Sequence, residues 1–363
     1  MKILHFGLDS SLGGIETYLL KLATHINRDK YKFDFLVIDN DSPPVYKKEL
    51  MELGCEFHSI SPRRGKWLKN IKDLKKIFRE NEFDIIHCHM NSLSYIAPIL
   101  ISLKYNKKVI VHSHNGACSS WIVSKILHKF NFYRLPKKKV KLLAVSDLAG
   151  DWMFGQSSSY SVINNGLDLL KYEFSEEARI RKRKELNISA EKKVILHTGA
   201  FRKQKNHTFL IDIFKEITLV DNDAILLLIG EGELKREIEK KVRSLNIQEK
   251  VMFLGIQHKV EEFLSASDYF LFPSLFEGFP IALVEAQTSG LTCLISDSIT
   301  KEIVVEELCH PVSLTRTANF WSTVLTNKEI IDDRSGAKQK ISHMGLSVEE
   351  EIEILSKIYD EVL

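Results

Sequence analysis

The chain has 363 residues, enough for two domains of ordinary size. With 44% hydrophobic and 27% charged residues it is neither a disordered chain nor a membrane-spanning one, since no apolar run approaches the roughly 20 residues of a transmembrane helix. Lys and Arg outnumber Asp and Glu 51 to 48, an excess too small to imply nucleic acid as a partner. Cys55, Cys88, Cys118, Cys293 and Cys309 are odd in number and scattered, with no Cys-x-x-Cys, which fits reduced thiols. The first apolar run, Met1–Asp9, is too short for a signal peptide. The expectation is a cytoplasmic protein, with peripheral attachment to the inner face of the membrane left open.

Short apolar runs alternate with helical patterns along the chain. The first half offers strands at Ile3–Phe6, Phe33–Ile38, Asp84–His87, Val109–His112 and Leu142–Val145. Between the first two, Ile15, Leu19, Leu22 and Ile26 recur at helical spacing. The pattern restarts after the charged stretch Asp168–Lys192, with strands at Val194–His197, Ala224–Ile229, Val251–Leu254, Tyr269–Phe272 and Leu291–Ile295. Strand and helix in alternation predict parallel sheets covered on both faces. Residues 1–165 and 191–345 then form two Rossmann-like units joined by a linker region, 166–190. Ser347–Leu363 has Ile352, Leu355, Ile358 and Val362 at helical spacing and predicts a terminal helix.

Ligands of such sheets bind beyond the carboxyl ends of the strands, where most unusual motifs of this chain fall. Gly13-Gly14-Ile15-Glu16 opens the first helix, where glycine admits close approach and the helix end favours an anion. It lacks the Gly-x-Gly-x-x-Gly spacing of a dinucleotide site, which argues against an oxidoreductase. His87 and His89, like His112 and His114, alternate along a strand end. No carboxylate or cysteine stands at a fixed spacing to complete a metal site, so hydrogen-bonded rings are the expectation and no metal is assigned. Phe201-Arg-Lys-Gln-Lys205-Asn-His is a cationic cluster that can neutralise a diphosphate or remain a solvated loop. Pro273 and Ser274 end a strand, and Gly278 and Pro280 lead into a helix near Ile281, Pro280 suiting its first position. Glu277 thus lies before the helix and Glu285 more than a turn inside it. Carboxylates accept from paired hydroxyls, and helix amides suit phosphate; both glutamates could equally be solvated.

Glu277 and Glu285 with seven residues between them, inside Pro-Ser-x-x-Glu-Gly-Phe-Pro…Val-Glu-Ala, resemble the signature of the family 4 glycosyltransferases of the GT-B fold. Gly13–Glu16, His112-Ser-His-Asn115, Asn165-Gly166, Gln204-Lys-Asn206 and Gly230-Glu-Gly232 match in the same order over nearly the whole chain. The wording is most similar to the capsular and exopolysaccharide enzymes of bacteria. The resemblance implies an α/β architecture of two doubly wound domains facing across a cleft. The first takes the acceptor, the second takes the nucleotide-sugar, and the C-terminal helix, 346–363, crosses back onto the first. It also implies sugar transfer with retention from a nucleoside diphosphate sugar, taken here as UDP-linked, to a lipid-linked or oligosaccharide acceptor, with neither metal nor further cofactor.

By the same resemblance Glu277, His114 and Lys205 are the catalytic set. Gly14, Arg202, Lys205, Gly230, Phe253, Leu254, Glu277, Gly278, Phe279, Pro280, Ile281, Ala282, Leu283 and Glu285 surround the donor. Glu285 would hold the ribose, Glu277 the sugar, and Lys205 with the Ile281–Leu283 amides the departing diphosphate. The family places Arg directly after the glycine that precedes this loop; Ala200 stands there instead, and Arg202 is the candidate substitute. A nucleotide-sugar epimerase or hydrolase, or a non-catalytic nucleotide-sugar-binding subunit, are the alternatives. The loop Gly116–Ser120 is expected to face the acceptor. Two basic amphipathic stretches, Arg63–Lys76 and Trp121–Phe130 followed by Lys137–Lys139, suit contact with an anionic membrane surface as well as ordinary packing on a core.

Overall fold

The computed structural model describes residues 1–11, 13–39, 42–115, 122–277, 279–328, 330–331 and 333–363. Gly278, Cys118, Trp121 and the loop Gly116–Ser120 lie outside the described residues. The strands of the first half are β1 (Lys2–Phe6), β2 (Lys32–Ile38), β3 (Glu56–Ile60), β4 (Ile85–Met90), β5 (Lys108–Ser113), β6 (Lys141–Ala144) and β7 (Ser161–Val162). Those of the second are β8 (Val194–Thr198), β9 (Ile225–Ile229), β10 (Val251–Gly255), β11 (Tyr269–Phe272), β12 (Thr292–Ser296) and β13 (Cys309–Val312). Among the described residues they form a seven-stranded sheet in the order β3-β2-β1-β4-β5-β6-β7 and a six-stranded sheet in the order β10-β9-β8-β11-β12-β13. Neighbouring strands run parallel throughout.

Both sheets are buried on two faces because their strands carry apolar residues at successive positions. In β1, Ile3 joins one core and Leu4 the other; in β8, Ile195 and Leu196 do the same. Strand order reverses between β1 and β4, and again between β8 and β11. Those two points are where each unit offers a crevice at its carboxyl edge.

The expected strands all occur, Tyr269–Phe272 with the expected bounds and the others with shifted ends. β3, β7 and β13 were not expected, and each is an outermost strand of its sheet. An edge needs little apolar character; β7 has two residues, and β13 carries Pro311, whose missing N–H an edge tolerates. The helix after Pro280 spans Ile281–Thr288, so the proline caps it from outside rather than filling its first position.

The chain divides into a unit of Met1–Gly166 with Val348–Leu363 and a unit of Leu167–Ser347. Helices Leu169–Tyr172 and Glu176–Glu185, from the stretch read as a linker, belong to the second unit. Arg179 and Arg183 of the latter pair with Asp268 at 2.5 and 2.7 Å. The C-terminal helix, Val348–Val362, buries Leu355, Ile358 and Tyr359 in the same core as Ile3 and Leu19 of the first unit. Its Glu351 carboxylate accepts from Lys21 Nζ at 2.5 Å and from the Gly166 amide at 2.9 Å, while Lys21 also donates to the Gly166 carbonyl at 2.6 Å. One buried carboxylate therefore ties together the two places where the chain leaves and re-enters this unit.

Candidate functional site

In the second unit the loop after β8 and the loop after β11 are laced together by three consecutive residues. Gln204 accepts from the Leu275 amide at 2.8 Å and donates from Nε2 to the Phe276 carbonyl at 3.0 Å and to Glu277 Oε2 at 3.2 Å. Lys205 Nζ donates to Glu277 Oε1 at 2.8 Å and lies 4.7 Å from the centre of the Phe272 ring. Asn206 Nδ2 donates to the Pro273 carbonyl at 3.1 Å, from a left-handed backbone (φ 55°) that asparagine tolerates better than most residues. The Lys205 and Glu277 side chains are only 17% and 7% exposed, so each charge depends on the other. This pair sits at the strand-order reversal of the second sheet. Gln204 and Asn206 have no chemical role legible in the sequence; they fix where Lys205 and Glu277 stand.

The flanking glycines have a packing role. Gly230 has φ +139°, and a Cβ there would lie 2.2 Å from the Gly199 carbonyl oxygen. Glu231 accepts from the Phe201 amide at 3.1 Å and Gly230 donates to the Gly255 carbonyl at 2.9 Å, so the loops after β8, β9 and β10 support one another. Phe253 stacks on Phe201 at 6.0 Å, and the Leu254 carbonyl accepts from Gln257 Nε2. Arg202 is exposed at the start of the 3-10 turn Lys203–Lys205 and forms no ion pair among the described residues. Ahead of the helix Ile281–Thr288, the Ile281 amide donates to Phe279 and the Leu283 amide to Pro280, at 3.0 and 2.9 Å. The Ala282 amide lies between them.

Glu285, one turn in, meets the hydroxyl of Tyr172, a partner from far back in the chain that no local pattern announces. Burial pushes its pKa up from the usual 4.5 to about 7; the Tyr172 hydrogen bond and the Lys171 charge oppose this, and the nearby Glu261 adds to it.

In the first unit the carboxyl edge is built from imidazoles. One face of the sheet reads Ile3-x-His5 on β1, Ile85-x-His87-x-His89 on β4 and Ile110-x-His112-x-His114 through the end of β5. His5 is registered opposite His87, and His89 opposite His112. Ring nitrogens of His5, His87 and His89, and of His89, His112 and His114, lie within 4.8 Å of one another. The sequence reading missed His5 because it comes from another strand; the shared Ile-x-His alternation was the available signal. Burial lowers all five pKa values, to about 3 for His5 and His112, so the layer is uncharged. His114 alone of the five is partly exposed. Gly14, at the start of helix Gly14–His25, is exposed, and a Cβ there would meet nothing within 4 Å. Packing does not require glycine at Gly14; the open space suits approach of a ligand to the helix end.

Residues 12–170 match the family described as Glycosyltransferase Family 4, and residues 178–308 the one described as Glycosyl transferases group 1. The chain belongs to the family 4 glycosyltransferases. Among curated relatives, the "Putative glycosyltransferase EpsF" of Bacillus subtilis is 28% identical, covering 99% of this chain and 96% of the relative. A UDP-Gal:alpha-D-GlcNAc-diphosphoundecaprenol alpha-1,3-galactosyltransferase of Escherichia coli is 25% identical over 82% of this chain and 79% of its own length. The capsular polysaccharide glycosyltransferase CapH of Staphylococcus aureus is 24% identical over 83% and 82%. Among solved structures, Anabaena HepE in complex with UDP superposes with a TM-score of 0.78 at 16% identity, covering 99% of this glycosyltransferase and 100% of that chain. The glycosyltransferase WaaG superposes at 0.69 with 14% identity and 99% of each chain covered, so the fold is GT-B.

The raised pKa of Glu285 has a pH consequence of definite sign. From about pH 4.5 to 7 the folded chain holds a proton that the unfolded chain has released, so stability falls as pH rises through that window. Chemical denaturation at a series of pH values should show that fall in the parent and its loss in Glu285→Gln. An unchanged slope in the variant would assign the pH dependence elsewhere.

Proposed function

We propose that this glycosyltransferase moves a sugar from a UDP-sugar, with retention, to a hydroxyl of a lipid-linked oligosaccharide in capsular or exopolysaccharide synthesis. The observation that carries the reading is the enclosed Lys205–Glu277 pair, held by Gln204 at the carboxyl edge of β8 and β11. Relatives named for diphosphoundecaprenol acceptors and for capsule synthesis, and HepE with UDP or UDP-glucose, support the donor and acceptor classes.

In this reading Glu285 accepts from the ribose hydroxyls and Glu277 from those of the sugar. Lys205 turns from Glu277 toward the diphosphate as negative charge grows on it, and the Ala282 amide at the helix start adds a donor. The bond from the anomeric carbon to the diphosphate breaks while the acceptor oxygen bonds to that carbon on the same face. The acceptor proton passes to a phosphate oxygen, so the products are a glycoside and UDP. Glu277 positions and stabilises; it is not a nucleophile. Lysine and helix amides take the part a divalent ion plays in other transferases. Within the first unit, His114 and the Gly14 turn are the groups open to a ligand hydroxyl or anion. Phe253, Leu254 and the Gly230 loop border the nucleoside.

Helix Ile122–Arg134 exposes Ile122, Ile126, Phe130 and Tyr133 along one stripe, flanked by Lys125, Lys129 and Arg134. No helix among the described residues is long and apolar enough to cross a membrane. The stripe instead suits the anionic surface where a lipid-linked acceptor resides, each nearby basic residue adding about 1 kcal/mol.

Two measurements test the reading. Lys205→Ala should lower turnover by about 10²-fold or more with donor binding less affected, since the contact strengthens as the leaving group departs; turnover near the parent's would remove Lys205 from the chemistry. The parent should also sediment with anionic vesicles at low salt and Phe130→Glu should not. A parent that stays in the supernatant would refute the membrane contact.

A further inference from the structure

Three rings of the imidazole layer, those of His5, His89 and His114, form a directed chain rather than a set of independent rings. His5 Nδ1 is 2.9 Å from His89 Nε2, and His89 Nδ1 is 3.0 Å from His114 Nε2. His89 therefore uses both ring nitrogens, one on each neighbour. Neutral imidazole has one N–H donor and one acceptor nitrogen, so the tautomer of any member dictates that of the next. Its direction follows from the buried end. His5 is fully enclosed, its ring centre lies 4.2 and 5.6 Å from those of Phe33 and Phe35, and its Nε2 has no hydrogen-bond partner among the described residues. A proton on that nitrogen would be an orphaned donor, the more costly of the two ways to leave an imidazole nitrogen unpaired. The proton belongs on His5 Nδ1, which donates to His89 Nε2. His89 then carries its proton on Nδ1 and donates to His114 Nε2.

We propose that His5 and His89 are positioning residues that fix His114 as the Nδ1–H tautomer, with Nε2 turned inward and Nδ1 presented as a hydrogen-bond donor to a substrate hydroxyl. The substrate part rests on the transferase reading above; the tautomer does not. Other groups hold the ring as well. Tyr18 of helix Gly14–His25 stands edge-on to His114 at 4.8 Å and to His112 at 5.6 Å. Lys21, near His112 and His114, is neutralised by Glu351, and burial keeps every ring of the layer uncharged. His114 then contributes a fixed dipole, and a general base at that position is excluded.

The test uses the full chain labelled with 15N in its histidines. Long-range proton–nitrogen spectra from about pH 6 to 8 should give His114 and His89 as Nδ1–H tautomers without titration. An Nε2–H tautomer or an imidazolium at His114 would overturn the proposal. So would one equivalent of zinc or another transition metal held on His89, His112 and His114 in the purified protein. In transfer assays His89→Leu should lose about tenfold in kcat, the worth of one hydrogen bond, while adding nothing to the loss already caused by His114→Ala. Additive losses would mean that His89 acts through the fold at large. If the histidine variants fail to fold, the spectra of the parent still decide the tautomer. The tautomer in a chain that transfers no sugar would sustain the hydrogen-bonded chain and sink the transferase reading.

Discussion

Parallel strands cannot be joined by tight turns, so each unit must build its sheet by crossovers, outward first one way and then the other from a central strand. The crossovers that follow β1 and β4 depart in opposite directions, as do those after β8 and β11, and the loops at these strand ends separate. Candidate chemistry of both units hangs on that reversal. Gly14 and His89 stand at the first, Lys205 and Glu277 at the second.

The two units solve the problem of polar groups at a buried edge differently. The first uses neutral rings: of five imidazoles on one sheet face, His5, His89 and His114 are hydrogen-bonded to one another and His87 to Tyr359, while the ring nitrogens of His112 have no partner among the described residues. The second uses opposite charges, which can stay enclosed only while Lys205 and Glu277 face each other. A neutral layer suits contact with hydroxyls. A compensated ion pair suits a site where an anion arrives and the lysine changes partner.

Much of the fold was legible because a doubly wound sheet writes itself as apolar runs separated by helical patterns. The edge strands β3, β7 and β13 escaped because an edge imposes little apolar demand. Glu277 and Glu285 were singled out as candidates by spacing and resemblance, and the strand–turn–helix around them follows from Pro273, Pro280 and the apolar run of β11. Their surroundings were not legible: Tyr172 reaches Glu285, and Gln204 reaches Glu277, through contacts made by tertiary folding. His5 was hidden for the same reason, although its Ile-x-His alternation repeats that of β4 and β5. Gly230 read as a ligand-binding glycine, yet the backbone of Gly199 already demands it.

The central claim is that the second unit holds a nucleoside diphosphate through Glu285 and the elements around it. Thermal unfolding across a panel of nucleoside diphosphates and their sugars, on the parent and on Glu285→Ala, tests it most directly. A ligand at about 100 times its dissociation constant adds about 2.7 kcal/mol of stability. The account predicts a shift of that order with uridine diphosphate compounds and its loss in Glu285→Ala. No shift with any nucleotide, or one indifferent to Glu285, would contradict it.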